Sequence, residues 1–269
     1  MGVSIGADVI CIGGAAIGSA VAYYLTENPD FDGTVAVIEP DPSYDLAQTS
    51  RAQNSIREQF SQPVNIAISQ FGLDFIENFD ERTQVDGQSP ELNYRGTGYL
   101  FLARDDDDLE RFEQQMVIQH EHGAETRMLT PAQVADEFPY MDASQVAGAR
   151  MGSMKEGSFD GWAYFQGYRQ RAIHNGAKYI TDRVVDIEVA NGRATGVVLE
   201  RVVESELAMW SIRQAHERSS SLRWWASTFR LNPVPARASC SIVARRSNTT
   251  CRSPSPPKAC TFAVSSTIS

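Results

Sequence analysis

The sequence predicts an α/β fold for roughly its first 200 residues, on three observations. Residues 8–39 run in the order strand, glycine turn, helix, strand, acid. The chain of 269 residues is 42% hydrophobic and 9% aromatic, enough to bury a core, yet no run approaches 18 apolar residues. The α/β pattern then stops near residue 202, where the composition changes abruptly.

The first strand is Asp8-Val-Ile-Cys-Ile-Gly-Gly14, a short apolar run of β-formers ending in glycines, as a buried parallel strand requires. A helix follows over Ile17 to Leu25, with small and apolar residues at helical spacing, and Asn28-Pro29 and Asp32-Gly33 close it. The second strand, Thr34-Val-Ala-Val-Ile-Glu39, ends in an acid. This order matches a dinucleotide-binding βαβ unit. In that reading Gly13 makes the tight turn and Gly18 lets helix and strand approach. The N–H groups at the helix start, around Ala16 and Ile17, face a pyrophosphate. Glu39, 21 residues after Gly18, accepts hydrogen bonds from a ribose diol. One position departs from G-x-G-x-x-G: Ala15 replaces the middle glycine, and Gly14 eases the approach instead. The competing reading is an ordinary glycine-rich turn. NAD and FAD both use such a unit; its place at the N-terminus favours FAD.

After the second strand, Thr49 to Phe60 is polar and lacks a strong amphipathic period. Its hydroxyls and Arg51 suit phosphates and a flavin edge, with a solvated loop as the alternative. A helix pattern follows (Ile66, Ile68, Phe71, Leu73, Phe75, Ile76). Four aspartates, Asp105 to Asp108, open a polar helix reaching His122; acids there favour the helix dipole, so they read as a cap rather than a metal site. His120 and His122 stand two apart, share no helix face and read as surface residues. Thr130-Pro131 reads as an N-cap followed by proline at the first helical position.

Charge divides the chain. Residues 1–202 carry 15 basic and 31 acidic residues, whereas 203–269 carry 9 and 3. The acidic part argues against a nucleic-acid partner, since nothing in it would neutralise phosphates. Residues 203–269 contain no glycine but 14 serines and three of the four cysteines, whose spacings fit neither zinc nor paired redox motifs. Cys11 lies in an apolar run and reads as a core thiol. The start lacks both a signal-peptide pattern and the hydroxyl of a myristoylation signal, Gly6 standing in its place. The expectation is a cytoplasmic protein without a membrane span, of unknown oligomeric state.

Several motifs resemble one family. Gly13-Gly-Ala-Ala-Ile-Gly-Ser19, Glu39, Thr49-Ser-Arg-Ala-Gln-Asn-Ser-Ile-Arg-Glu-Gln-Phe60 and Asn65 are similar to the FAD-dependent oxidoreductases of the glycine/sarcosine oxidase (D-amino-acid oxidase) superfamily. Arg95 to Leu102 resembles the strand opening its substrate domain. Glu156 to Trp162 resembles its Gly-x-x-Asp-Pro segment with Gly161 for Pro, and Gly176 to Val185 with Gly196 to Leu199 its return strands. The resemblance implies an FAD-binding Rossmann-like domain (residues 1–90 and 151–202) with an inserted α+β substrate domain (91–150). It also implies FAD as cofactor, with Ser50, Arg51, Asn54 and Ser55 near its pyrophosphate and flavin and the Val185 backbone on adenine. The substrate would be a small secondary or N-methyl amino acid, oxidised by hydride transfer to flavin. Arg57 is a candidate cation for the flavin or the substrate carboxylate, with structural pairing equally open; no catalytic base and no metal site is named.

The family next expects Val-Asn-x-Ala-Gly and then Leu-Pro-Val-Glu-Pro-Arg; residues 203–269 show neither. Reading the third base of each codon with the next two changes this. Met209 to His216 can then encode Val-Val-Asn-x-Ala-Gly-Pro-Arg, and Trp224 to Val234 can encode Val-Gly-Ile-Asp-Leu-Pro-Val-Glu-Pro-Arg. The single codons of Met and Trp force the valines at Met209-Trp210 and Trp224-Trp225; most other letters are only permitted. The expectation is a change of reading frame near residues 200–209, a missing C-terminal half, an aberrant tail over 203–269 that is disordered or out of frame, and an unpaired sheet edge. A natural low-complexity basic tail is the alternative. Three functional readings follow: an active flavoenzyme, an inactive truncated fragment, and an NAD(P)-binding module.

Overall fold

The computed structural model describes residues 6–200, 222–226 and 241–247. The chain begins with β1 (Val9–Ile12), α1 (Ala16–Glu27) and β2 (Val35–Glu39). β1 and β2 pair in parallel, Val9 opposite Val35 and Ile12 opposite Ile38. A single helical turn, α2 (Gln48–Arg51), and a short strand, β3 (Ser55–Ile56), break up the polar segment. Then come α3 (Pro63–Glu77) and α4 (Phe79–Thr83). The strand expected over Arg95–Leu102 is divided into β4 (Arg95–Gly96) and β5 (Leu100–Ala103), because Gly98 at φ +74° bends the chain between them.

α5 (Asp106–Glu121) is capped by Asp105, whose carboxylate accepts the Asp108 N–H. β6 (Arg127–Leu129) leads into α6 (Pro131–Glu137), where Thr130 and Gln133 form a capping box. β7 (Gly148–Met151) and β8 (Gly157–Ser158) precede α7 (Gly161–His174), capped by Asp160. β9 (Lys178–Thr181), β10 (Val184–Ala190) and β11 (Arg193–Leu199) are the expected return strands.

β12 (Leu222–Ala226) and β13 (Ser241–Ser247) lie within residues 203–269. The main sheet has the order β12-β13-β1-β2-β9, and β13 runs antiparallel to β1. This corrects two expectations. Two stretches of the tail are strands, and the edge beside β1 is paired. The physical reason is that an edge strand presents unpaired backbone groups that any extended segment can satisfy. The motif expected in the shifted frame at Met209 to His216, and most of that at Trp224 to Val234, lie outside the described residues.

Strand alternation distributes the core to both faces of the sheet. Val9, Cys11, Val35 and Val37 pack with Tyr23 of α1, Phe75 of α3 and Tyr168 of α7. Ile10, Ala36 and Ile38 pack under the β10–β11 hairpin through Val197, with Val184, Ile187 and Leu199 beside them. Cover on both faces is why β1 and β2 read as unbroken apolar runs. Cys11 is fully buried, as expected of a core thiol. A separate sheet, β5-β7-β6, carries α5 and α6, and a third, β3-β8-β4, links residues 55–56 to 157–158.

Candidate functional site

The turn between β1 and α1 is built by two glycines doing different work. Gly13 has φ +95°, a conformation that L side chains rarely adopt, and space above it is open: a Cβ there would meet no atom within 4 Å. At Gly18 the limit is contact. A Cβ there would stand 1.9 Å from the Gly13 carbonyl oxygen. The α1 N-terminus has Ala15 as N-cap, with no side-chain cap and no acid in its first turn. Such an end suits an anion, because its leading N–H groups have no intrahelical partners. Ala16 N–H reaches Thr49 Oγ1 at 3.3 Å, and Ile17 is 64% exposed.

Glu39 joins the second strand to this turn. Its carboxylate accepts the Gly14 N–H at 2.8 Å and the Asp41 N–H at 3.0 Å. Each oxygen keeps a lone pair for a ribose hydroxyl. Asp182 N–H donates to the Glu39 carbonyl, so the chain leaves β9 beside the end of β2 and enters β10, where Val185 is exposed. The structure thus gathers Gly13, Gly14, Ala16, Ile17, Gly18 and Glu39 at one turn and brings the Val185 segment to the same strand ends.

The 50–55 segment is held close by. Ser50 is exposed on α2, and its hydroxyl donates to the Tyr44 carbonyl; Arg51 is exposed. Asn54 sits at φ +48°, accepts the Phe159 N–H on its carbonyl oxygen, and touches Gly161, where a Cβ would lie 2.1 Å from the Asn54 side chain. That contact explains glycine where a proline is expected. Ser55 pairs with Ser158.

Sequence reasoning missed the support beneath the turn. Tyr179 Oη donates to Ser19 Oγ, which donates to the Gly14 carbonyl at 2.6 Å. Tyr44 lies against Gly14 and is linked to Arg169 of α7, whose guanidinium stands 5.1 Å from the Tyr179 ring. Burial pushes the Tyr44 and Tyr179 hydroxyls up, so both stay neutral hydrogen-bonding groups. No local pattern marks these residues, because they converge from separate elements.

Arg57 lies apart from the turn, in a second cluster. Its guanidinium is 4.9 Å from the Phe60 ring and 5.4 Å from those of Tyr99 and Phe101, and its buried Nε has no hydrogen-bond partner. Nearby Arg150 is 2% exposed and Glu156 fully buried. Burial holds the Arg150 guanidinium down to about 10 and pushes the Glu156 carboxyl up. Among the described residues no cluster of three His, Cys, Asp or Glu could hold a metal ion, and no helix is long and apolar enough to cross a membrane. His120 and His122 are exposed, as expected.

The open, uncapped glycine turn and the ribose-ready acid fit a dinucleotide. Comparison with known proteins specifies which. A family described as FAD dependent oxidoreductase (DAO) matches residues 8–209. An FAD-dependent oxidoreductase domain-containing protein 1 from Xenopus laevis is 33% identical over 187 residues, which is 68% of this chain and 37% of that protein. This chain therefore spans little more than a third of that relative's length. An L-proline dehydrogenase from P. horikoshii superposes with a TM-score of 0.63 at 22% identity, covering 79% of this chain and 57% of that one. A glycine oxidase from Bacillus cereus superposes with a TM-score of 0.55 at 20% identity, covering 88% and 70%. The cofactor is accordingly FAD, and the chain belongs to the DAO family of FAD-dependent oxidoreductases.

Proposed function

We propose that the chain is the cofactor-binding part of an enzyme that oxidises a small secondary or N-methyl amino acid. The observation that carries this is Arg57: a half-buried cation walled by three aromatic rings, with a buried N–H that has no acceptor. Such a group suits a small carboxylate, because its charge is poorly solvated and its planar fork matches two oxygens. Two structural neighbours are named for acting on proline, a secondary amine, and on glycine. When bound, FAD supplies the two-electron acceptor that turns such an amine into an imine, which water hydrolyses. The chain's own residues bind and orient. The turn at Gly13 to Gly18, with Glu39, would hold the dinucleotide, and Arg57 would fix the substrate by its carboxylate.

The test is reconstitution with FAD, followed by gel filtration and absorbance, then anaerobic addition of N-methylglycine. Retained flavin that bleaches on addition supports the reading. Tight NAD⁺ binding with no retained flavin refutes it in favour of a nicotinamide-binding module.

A second reading has its own observation. The family match ends at residue 209, and this chain spans 37% of its frog relative. We infer that residues after about 202 come from a shifted frame, and that the chain binds FAD weakly without turning over substrate. Resequencing decides the frame. An uninterrupted frame, with no family motif in its neighbour, would remove this inference.

A further inference from the structure

We propose that Arg150, on β7, is a positioning residue that holds Arg57 in the orientation needed to take a carboxylate. The proposal rests on the carboxylate reading of Arg57 given above.

Arg150 is almost fully buried, yet its direct partners are neutral. Nε donates to Gln59 Oε1 at 2.9 Å and Nη1 to Gln115 Oε1 at 2.8 Å. Gln59 Nε2 donates in turn to the Tyr99 carbonyl at 2.7 Å and to Glu156 Oε2 at 2.8 Å. The other Glu156 oxygen accepts the Glu58 N–H at 2.8 Å. The two residues that follow Arg57 are thus fixed, one by its backbone and one by its side chain, through a chain of bonds that starts at Arg150.

Arg150 also sets the wall that Arg57 packs on. Arg150 and Phe101 are register partners across β7 and β5, and the Arg150 guanidinium is 5.4 Å from the Phe101 ring, the same distance as that of Arg57. One ring is therefore shared by two guanidinium groups. Its other contact, Phe112 of α5, lies 4.5 Å from Arg150 and 6.5 Å from Phe101. Burying a charged group is costly unless its donors are satisfied. A leucine or methionine would fill the same place without that cost. What the arginine adds is a planar fork that ties α5, through Gln115, to the segment presenting Arg57.

The test uses the full chain with ¹⁵N-labelled arginine, saturated with FAD. The Arg57 Nε–H signal is assigned by its loss in Arg57→Lys. Lying among three rings, it is shifted from the position of exposed arginines. Arg150→Met moves that signal toward the exposed position. It also weakens binding of acetate, read by flavin absorbance, at least tenfold, with FAD affinity changed less than twofold. Arg150→Lys, which keeps the charge but not the fork, recovers part of both. If Arg150→Met does not fold, Arg150→Lys and Gln115→Ala give the same two readings, each shifted less. An unmoved Arg57 signal in a folded variant overturns the proposal. So does a moved signal with unchanged acetate affinity, when Arg57→Lys abolishes that affinity. Acetate binding that is absent, or indifferent to Arg57, refutes the carboxylate reading itself and is seen in the parent chain before any Arg150 variant is made.

Discussion

Replacing Gly18 with alanine separates two effects of opposite sign. In an exposed helix, Gly→Ala stabilises by about 1 kcal/mol, because glycine has more backbone entropy to lose. Gly18 is buried in α1, and the added Cβ would stand 1.9 Å from the Gly13 carbonyl oxygen and 3.0 Å from its carbon. A carbon and an oxygen in contact need roughly 3.3 Å or more, the lower end of close C–H···O approach. Helix and turn must therefore part by about 1 Å. Overpacking of this kind costs about 1–3 kcal/mol, so the clash outweighs the helical gain. At about 2–4 °C per kcal/mol for a domain of this size, Tm falls by several degrees. The larger effect falls on the cofactor. The displaced atoms are the turn and the helix N-terminus proposed to face the pyrophosphate, and a shift of about 1 Å in a positioning group can cost on the order of a hundredfold. Flavin fluorescence titration of parent and Gly18→Ala chains, beside thermal unfolding without FAD, measures both. Unchanged FAD affinity with lower Tm would show that the turn does not hold the dinucleotide. A higher Tm would show that the tight approach of helix and strand is wrong.

Four further outcomes are expected. Glu39→Gln presents an NH₂ group to either the Gly14 or the Asp41 N–H; leaving one donor unpaired costs about 1–3 kcal/mol, and calorimetry should show FAD affinity falling with it. Asp160→Ala removes the acceptor of the Trp162 and Ala163 N–H groups, which costs about 1 kcal/mol by urea unfolding. Asp108 is held well below the usual carboxylate range by hydrogen bonds from Arg104, then from Arg111. Its folded-state pKa is lowered, so its contribution is present above the ordinary carboxylate pKa of about 3.9 and lost as pH falls below it; Asp108→Asn should flatten the acid limb of the Tm–pH curve. Glu156 has the opposite sign. Burial raises its folded-state pKa, so stability is fully present below about pH 4.3 and declines as pH rises through the folded value, and Glu156→Gln should remove that decline.

The parts of the fold legible in the sequence are those fixed by near neighbours. β1, α1 and β2 were readable because an apolar run, two glycines and a terminal acid lie within residues 8–39. The caps at Asp105 and Thr130 were readable because their acceptors serve donors three residues on. Arg57 stood out as a cation, but its surroundings did not. Gln59 meets Glu156 across 97 residues and Arg150 across 91. None of Gln59, Arg150 and Glu156 carries a periodicity that marks it as buried. Tyr179 and Ser19, 160 residues apart, were hidden for the same reason.

The tail shows the same logic in reverse. Pairing of β13 with β1 is made by backbone groups, Val9 opposite Ala244 and Ile12 opposite Ser241. Backbone bonds are nearly blind to residue type, so an extended run such as Ser241–Ser247 can close an edge whatever its reading frame. Side-chain chemistry is not blind in this way. Gly13, Gly18, Glu39, Tyr44, Arg169 and Tyr179, which build and brace the dinucleotide turn, all precede residue 200. The residues proposed to hold the dinucleotide thus lie within the segment matched to the family, and FAD affinity can be measured in this chain however the tail arose. Turnover makes a stricter demand. In the proposed reading Arg57 would give the substrate one cationic contact, with its direction fixed by Arg150, whereas the Xenopus laevis relative devotes more than half its length to sequence that this chain does not match. FAD binding without reduction by N-methylglycine would therefore locate the missing chemistry in that unmatched part, and would leave the reading of the turn intact.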